Sequence, residues 1–223
     1  MAGFRAVGFD LDGTFLSTHV DYSRLNSADL DVLRAHGIDP DSIDFGGAIK
    51  RPRAPILEWL KANGREGEFQ GICDEMDAIF TEIETEYVEE ARPFPGSREC
   101  IAAIKAKGLK VGILTRGSKT YAERALDVNG LKDSFDVIMG RDHSVYDNAK
   151  PSPMAMMEFA DELEVLPEEI LYIGDNVTDW QCAHGAGSHF VGVLSGSCKM
   201  EDWKKLDPGM IVIEHAGDVV HLL

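Results

Sequence analysis

Phe4-Arg5-Ala6-Val7-Gly8-Phe9-Asp10-Leu11-Asp12-Gly13-Thr14 decides the fold, because an apolar run of strand length ends in two aspartates and a turn. Phe4 to Phe9 reads as a buried strand. Successive side chains on a strand alternate faces, so carboxylates at i and i+2 leave it on the same side. Gly13 lets the chain turn sharply behind them. Open α/β sheets bind ligands outside the carboxyl ends of their parallel strands. The pair is therefore placed to supply one nucleophile and one acid/base, with a metal between them and a substrate.

Downstream of Thr14 the pattern changes. Between Ser17 and Arg92 there is no strand signal. Asn26 or Ser27 is expected to cap a helix ending at Gly37, and a second helix is expected over Ala54–Asn63, stopped by Gly64. Ile72, Met76, Ile79, Phe80, Ile83 and Tyr87 recur at spacings of three and four, which predicts a third helix closed by Pro93 and Pro95. Strand and helix then alternate. Helices are expected over Ser97–Lys107, near Thr120–Val128 and over Ser152–Leu163. Strands are expected over Lys110–Thr115, Asp136–Gly140, Ile170–Asp175, Phe190–Leu194 and near Met210–Ile213, before a short terminal helix. Repeating βα units predict an α/β fold, a Rossmann-like core with a parallel sheet and helices on both faces. The expected division is a catalytic core of residues 1–15 and 93–223 with an inserted α-helical cap domain, 16–92.

Bulk properties narrow the partners. The 223 residues carry a net charge of −17, which argues against nucleic acid and anionic membrane, since a phosphate backbone is bound with Lys and Arg. A phosphate-bearing substrate must then be drawn in by local cations. Charges beyond about 8 Å are largely screened at physiological salt, so local chemistry can win. Cys73, Cys100, Cys182 and Cys198 have no zinc-type spacing and read as buried thiols in a reducing cytosol. No apolar stretch approaches the ~20 residues of a membrane helix, and the first strand starts close to Met1. The expectation is a soluble cytoplasmic protein.

Further polar residues fall at the ends of the expected strands: Thr115-Arg116-Gly117-Ser118 after one, Lys150-Pro151 in the loop after the next, and Gly174-Asp175-Asn176-Val177-Thr178-Asp179 after a third. Each has a plain alternative. Asp-Gly is a common turn, Thr115 and Asp175 can cap helices, and Lys150 can be a solvated lysine. In a parallel sheet, however, these ends all point the same way, so Asp10, Asp12, Thr115, Lys150, Asp175 and Asp179 can converge. Four carboxylates together raise one another's pKa unless a cation intervenes. An all-oxygen set without Cys or His fits Mg²⁺ better than Zn²⁺, and Lys150 adds a second positive charge.

This set resembles the haloacid dehalogenase superfamily, in its phosphatase branch with a helical cap inserted after the first motif. The motifs are Asp10-Leu11-Asp12-Gly13-Thr14, Thr115, Lys150-Pro151-Ser152-Pro153, and Gly174-Asp175 through Asp179, with Ala183-His184-Gly185-Ala186-Gly187 similar to the helix that follows. The resemblance implies an Mg²⁺-dependent phosphatase acting on a small-molecule phosphomonoester of phosphoglycolate, sugar phosphate or nucleotide type. It implies that Asp10 forms an aspartyl-phosphate and that Asp12 is the acid and then the base. Thr115 and Lys150 would hold the phosphoryl oxygens. The metal would be held by Asp10, the Asp12 carbonyl and Asp175, with Asp179 in support. Asp12 favours phosphorus chemistry over halide displacement, which needs no leaving-group acid. Arg116 departs from the commoner Asn and is assigned to substrate binding, with the shape and charge of the pocket floor open.

In capped relatives a cap loop reaches the substrate. The matching stretch here, Phe45 to Arg53, is the densest basic cluster in the chain. Lys50, Arg51 or Arg53 is expected to bind a substrate carboxylate or second phosphate, or else to balance an acidic cap from a solvated loop. Two rival readings remain: a phosphomutase of the β-phosphoglucomutase type, and a binding protein that kept the fold without turnover. Monomer and homodimer are both compatible with the sequence.

Overall fold

Strand β1 (Ala6–Phe9) runs through the middle of a six-stranded sheet in the computed structural model, which describes residues 3–48 and 50–223. On one side lie β4 (Lys110–Leu114) and then β5 (Val137–Met139). On the other lie β6 (Ile170–Gly174), β7 (His189–Val193) and β8 (Val212–Ile213). Every neighbouring pair is parallel. β1 and β6 are buried along their whole length, as expected of strands covered on both faces and written as unbroken apolar runs. Phe9 is the register partner of both Ile113 and Ile173. The residues after these strands therefore emerge from one edge of the sheet.

Helices surround the sheet: α4 (Ser97–Ala106), α5 (Lys119–Asp127), α6 (Pro153–Glu162), α7 (Val177–Ala186) and α8 (Met200–Leu206). α6 and α7 pack together, and Phe159, Met156 and Tyr172 anchor the core under them. A second cluster forms round Trp203 of α8, with Cys198 and Met210. The expected α/β core with a parallel sheet is thus the architecture observed. All four cysteines are buried thiols, and burial pushes those of Cys100 and Cys182 up to about 12.

The chain divides into two compact units, one made of the segments up to His19 and from Tyr87 onward, the other Val20–Glu86. The second unit contains α1 (Tyr22–Ala35), α2 (Ala54–Ala62) and α3 (Phe69–Thr85). α1 and α3 pack on each other, and Ile72, Met76, Phe80 and Ile83 form the buried stripe of α3.

Several boundaries differ from expectation. α1 starts at Tyr22, not beyond Asn26 or Ser27, because the Asp21 carboxylate accepts the Arg24 N–H and caps it. α3 stops at Thr85, well before Pro93, and Tyr87 lies outside the stripe, 45% exposed. The two-residue ladder of β2 (Leu16–Ser17) with β3 (Arg92–Pro93) and the helix α8 had no counterpart in the sequence reading. The terminal helix is a 3₁₀ segment, Ala216–His221. Among the described residues no helix is long and apolar enough to cross a membrane.

Candidate active site

The site begins where β1 ends. The Asp10 N–H donates to the Ile173 carbonyl at 2.9 Å, carrying the sheet pattern one residue past the strand. The chain then turns at Gly13, whose φ of +78° lies in the left-handed region. A Cβ there would also stand 2.8 Å from Asp175 Oδ2, so both backbone and space call for glycine.

Lys150 organises the acids. Its ammonium donates to Asp10 Oδ1 at 2.6 Å, Asp179 Oδ1 at 2.5 Å and the Tyr172 hydroxyl at 2.9 Å. Those are three acceptors for three N–H donors. The Tyr172 hydroxyl in turn donates to the Leu114 carbonyl at 2.7 Å. Lys150 is 2% exposed. Burial alone would lower its pKa, but the carboxylates of Asp10 and Asp179 outweigh that and hold it well above the ordinary lysine value. The ammonium is a fixed positive charge.

Asp10, Asp175 and Asp179 each offer an oxygen within 4.8 Å of the others, and all three are buried. Burial raises Asp10 well above the usual carboxylate range against the pull of Lys150, and Asp179, Asp175 and Asp12 push the same way. Burial also raises Asp179. One ammonium does not offset this many acids, so the cluster could bind a metal.

Neighbouring elements fix each acid. Asp179 sits in the first turn of α7, where its Oδ2 accepts the Asn176 N–H at 3.0 Å while the Asn176 side chain accepts the Thr178 N–H at 3.1 Å, the reciprocal capping arrangement. Asp175 is caged by the loop after β7. The Ser197 N–H donates to its Oδ2 at 2.6 Å, Thr14 Oγ1 donates to its Oδ1 at 3.3 Å, and its carbonyl accepts the Cys198 N–H at 3.0 Å. Ser195 Oγ ties the same loop to the Gly13 carbonyl at 2.7 Å. Gly196 is pressed against the cage, since a Cβ there would lie 2.1 Å from Asp175 Oδ2.

Asp12 is held apart from this trio. Its Oδ1 accepts the Tyr121 hydroxyl at 2.5 Å and the Thr18 hydroxyl at 2.7 Å. Burial raises its pKa, and these two bonds oppose the rise. Thr115 directly follows β4, 2% exposed, with its N–H on the Met139 carbonyl at 2.9 Å and its Oγ1 accepting the Gly117 N–H at 3.0 Å. Thr115 and Lys150 line one small cavity together with Arg141.

The three arginines assigned to substrate are engaged elsewhere. Arg116 donates to the Lys150 main-chain carbonyl, and through Nη2 to the Tyr146 hydroxyl at 2.9 Å, with its guanidinium 5.2 Å from the centre of the Tyr146 ring. These bonds tie it to the loop that carries Lys150. Arg51 donates to both Asp29 oxygens, at 3.0 and 3.1 Å, and to the Asn26 carbonyl. Arg53 meets Asp77 with two bonds of 2.9 and 2.6 Å. Both pairs lie within the Val20–Glu86 unit, where acidic side chains on α1 and α3 absorb the basic loop. Tyr172, Tyr121, Thr18 and the Ser195–Cys198 loop were missed by sequence reasoning. Their only sequence signals are polar atoms in apolar strands or first turns, which do not name a partner.

The description "haloacid dehalogenase-like hydrolase" belongs to a family model that matches residues 7–193, a span holding β1 from Val7 onward and every acid of the site. The chain belongs to the haloacid dehalogenase-like hydrolase family. It is 27% identical over 216 residues to a phosphoglycolate phosphatase of Nitrosospira multiformis, covering 93% of this chain and 91% of that one. It is 26% identical to an N-acetylmuramic acid 6-phosphate phosphatase of Pseudomonas aeruginosa, covering 98% and 94%. The fold is shared with the crystal structure of a β-phosphoglucomutase from Clostridium difficile, at a TM-score of 0.64 and 22% identity over 97% of this chain and 93% of the other. Membership of this hydrolase family makes the chain an enzyme of hydrolase type.

Proposed function

We propose that this protein is an Mg²⁺-dependent phosphatase that hydrolyses a small phosphomonoester through a phosphorylated Asp10. The observation that carries the reading is the convergence of Asp10, Asp175 and Asp179 on one another, with Lys150 bonded between two of them. The phosphatase relatives support it. The helical unit Val20–Glu86 is read as the cap, and the buried thiols suit a reducing cytoplasm.

The donor set fits a hard divalent cation, being all oxygen, buried and richer in negative than positive charge. Asp10, Asp175, the Asp12 carbonyl and, in support, Asp179 would hold Mg²⁺, which would supply charge neutralisation for the phosphoryl oxygens.

The residues divide the work as follows. The Asp10 carboxylate attacks phosphorus and forms the acyl phosphate, splitting one difficult displacement into two. Asp12 gives a proton to the leaving oxygen and later takes one from the attacking water, a role that the upward pull of burial on its pKa favours. Thr115 and the Lys150 ammonium bind the phosphoryl oxygens. Phosphoryl transfer depends mainly on alignment and charge stabilisation, which a rigid, buried cluster supplies. Incubating the purified protein with Mg²⁺ and a panel of phosphoglycolate, sugar phosphates and nucleoside monophosphates tests the reading. Release of inorganic phosphate from at least one is expected; release from none overturns it.

A further inference from the structure

Tyr121 is 1% exposed in the first turn of α5, where its N–H donates to the Ser118 side chain at 3.2 Å and its ring packs on Gly117. Its hydroxyl reaches across the sheet edge to Asp12 Oδ1 at 2.5 Å, and the Thr18 hydroxyl donates to the same oxygen at 2.7 Å. Asp12 Oδ2 accepts no hydrogen bond among the described residues. The two oxygens of one carboxyl are thus unequal. An oxygen that already accepts two O–H donors is a poor place for a proton, whereas Oδ2 has both lone-pair positions open.

We propose that Tyr121 is a positioning residue for proton transfer, which with Thr18 anchors Oδ1 and assigns Oδ2 as the oxygen that exchanges the proton. The inference rests on the phosphatase reading. In the first half-reaction a bond forms between an Asp10 oxygen and phosphorus while the bond from phosphorus to the ester oxygen breaks. The proton on Asp12 Oδ2 passes to that ester oxygen, and the carboxylate left behind keeps both donors on Oδ1. In the second half, water attacks phosphorus, the acyl phosphate bond breaks, and Oδ2 takes the water's proton. Charge-assisted bonds of this kind are the strong ones, so losing either donor lets the carboxyl rotate away from the ester oxygen.

The consequence is a dependence on the leaving group. An alkoxide needs the proton; a nitrophenolate scarcely does. The quantity to read is kcat/KM, which reports the first half-reaction alone, for benzyl phosphate and p-nitrophenyl phosphate, with wild type, Tyr121→Phe and Thr18→Val. Tyr121→Phe is expected to lose about tenfold more on benzyl phosphate than on p-nitrophenyl phosphate, and Thr18→Val is expected to shift in the same direction. A merely structural role would lower both esters in equal proportion, and that result, or no loss on either, overturns the inference. If Tyr121→Phe does not fold, Thr18→Val decides by the same comparison. A wild type that turns over neither ester nor any of the metabolite phosphates above would overturn the phosphatase reading and this inference with it; activity on a metabolite phosphate with no loss of kcat/KM in Tyr121→Phe and Thr18→Val would overturn the inference alone.

Discussion

Lys150 Nζ stands 2.5 Å from Asp179 Oδ1, and both side chains are 2% exposed. A pair this deeply buried behaves unlike a surface pair such as Arg34–Asp31, 2.8 Å apart but 58% and 66% exposed. Solvent screens the second, so its removal changes little. Removing Lys150 instead strands Asp10 and Asp179 without a counter-charge. Lys150→Met should therefore cost about 3–5 kcal/mol of stability at neutral pH in metal-free protein, read from urea unfolding. A change no larger than that of Arg34→Ala would show that the cluster does not need its ammonium for folding.

Gly196 bears on the proposed metal site through a single contact. A Cβ there would lie 2.1 Å from Asp175 Oδ2 and 2.4 Å from its Cγ, closer than any two such atoms can approach. Gly196→Ala should push the Asp175 carboxylate off the Ser197 N–H and weaken Mg²⁺ binding by about 10–100-fold, as loss of an outer-shell partner typically does. Calorimetric titration of Mg²⁺ checks this, with Ser195→Ala as a milder variant that releases the loop from Gly13. Unchanged affinity in both would separate the loop from the metal.

Protons and metal should compete. Asp10 and Asp179 titrate above the ordinary carboxylate value of 3.8 in the folded protein because they are buried. The metal-free native state then holds protons that the unfolded chain has released. These two groups contribute stability that is complete below about pH 3.8 and is lost as pH rises through their folded values. A cation binds the ionised forms, so the rise in Tm on adding Mg²⁺ should be small at about pH 5 and grow toward about pH 8. A rise independent of pH would contradict the elevated values.

Much of the site was legible because a parallel sheet imposes order. Once β1, β4 and β6 were read as strands, Asp10, Thr115 and Asp175 had to leave from the same edge. What stayed illegible depends on register and side-chain reach. Tyr172 looks like one more aromatic in a buried strand, and only the register of Gly8 with Tyr172 sets it beside the Lys150 ammonium. Ser195 and Gly13 meet across 182 residues. Arg116 stands next to Thr115 in sequence, which says nothing of the carbonyl, hydroxyl and ring that the loop bearing Lys150 and Tyr146 sets within its reach. α1 was started too late because Ser27 looked like a cap, whereas its hydroxyl bonds back to the Arg24 carbonyl inside the helix. Seven-residue α8 is too short to show a period, with Trp203 buried in the core and Leu206 partly buried against it.

In the proposed mechanism the Asp10 carboxylate is the group that takes the phosphoryl. The measurement that bears on it most directly is p-nitrophenyl phosphate hydrolysis by wild type and Asp10→Asn at saturating Mg²⁺, with Tm showing that both are folded. Asn keeps the shape and one acceptor but is no longer a carboxylate nucleophile. The prediction is a loss of at least about 10³-fold in kcat with the fold retained; a folded Asp10→Asn protein that turns over at the wild-type rate would contradict it.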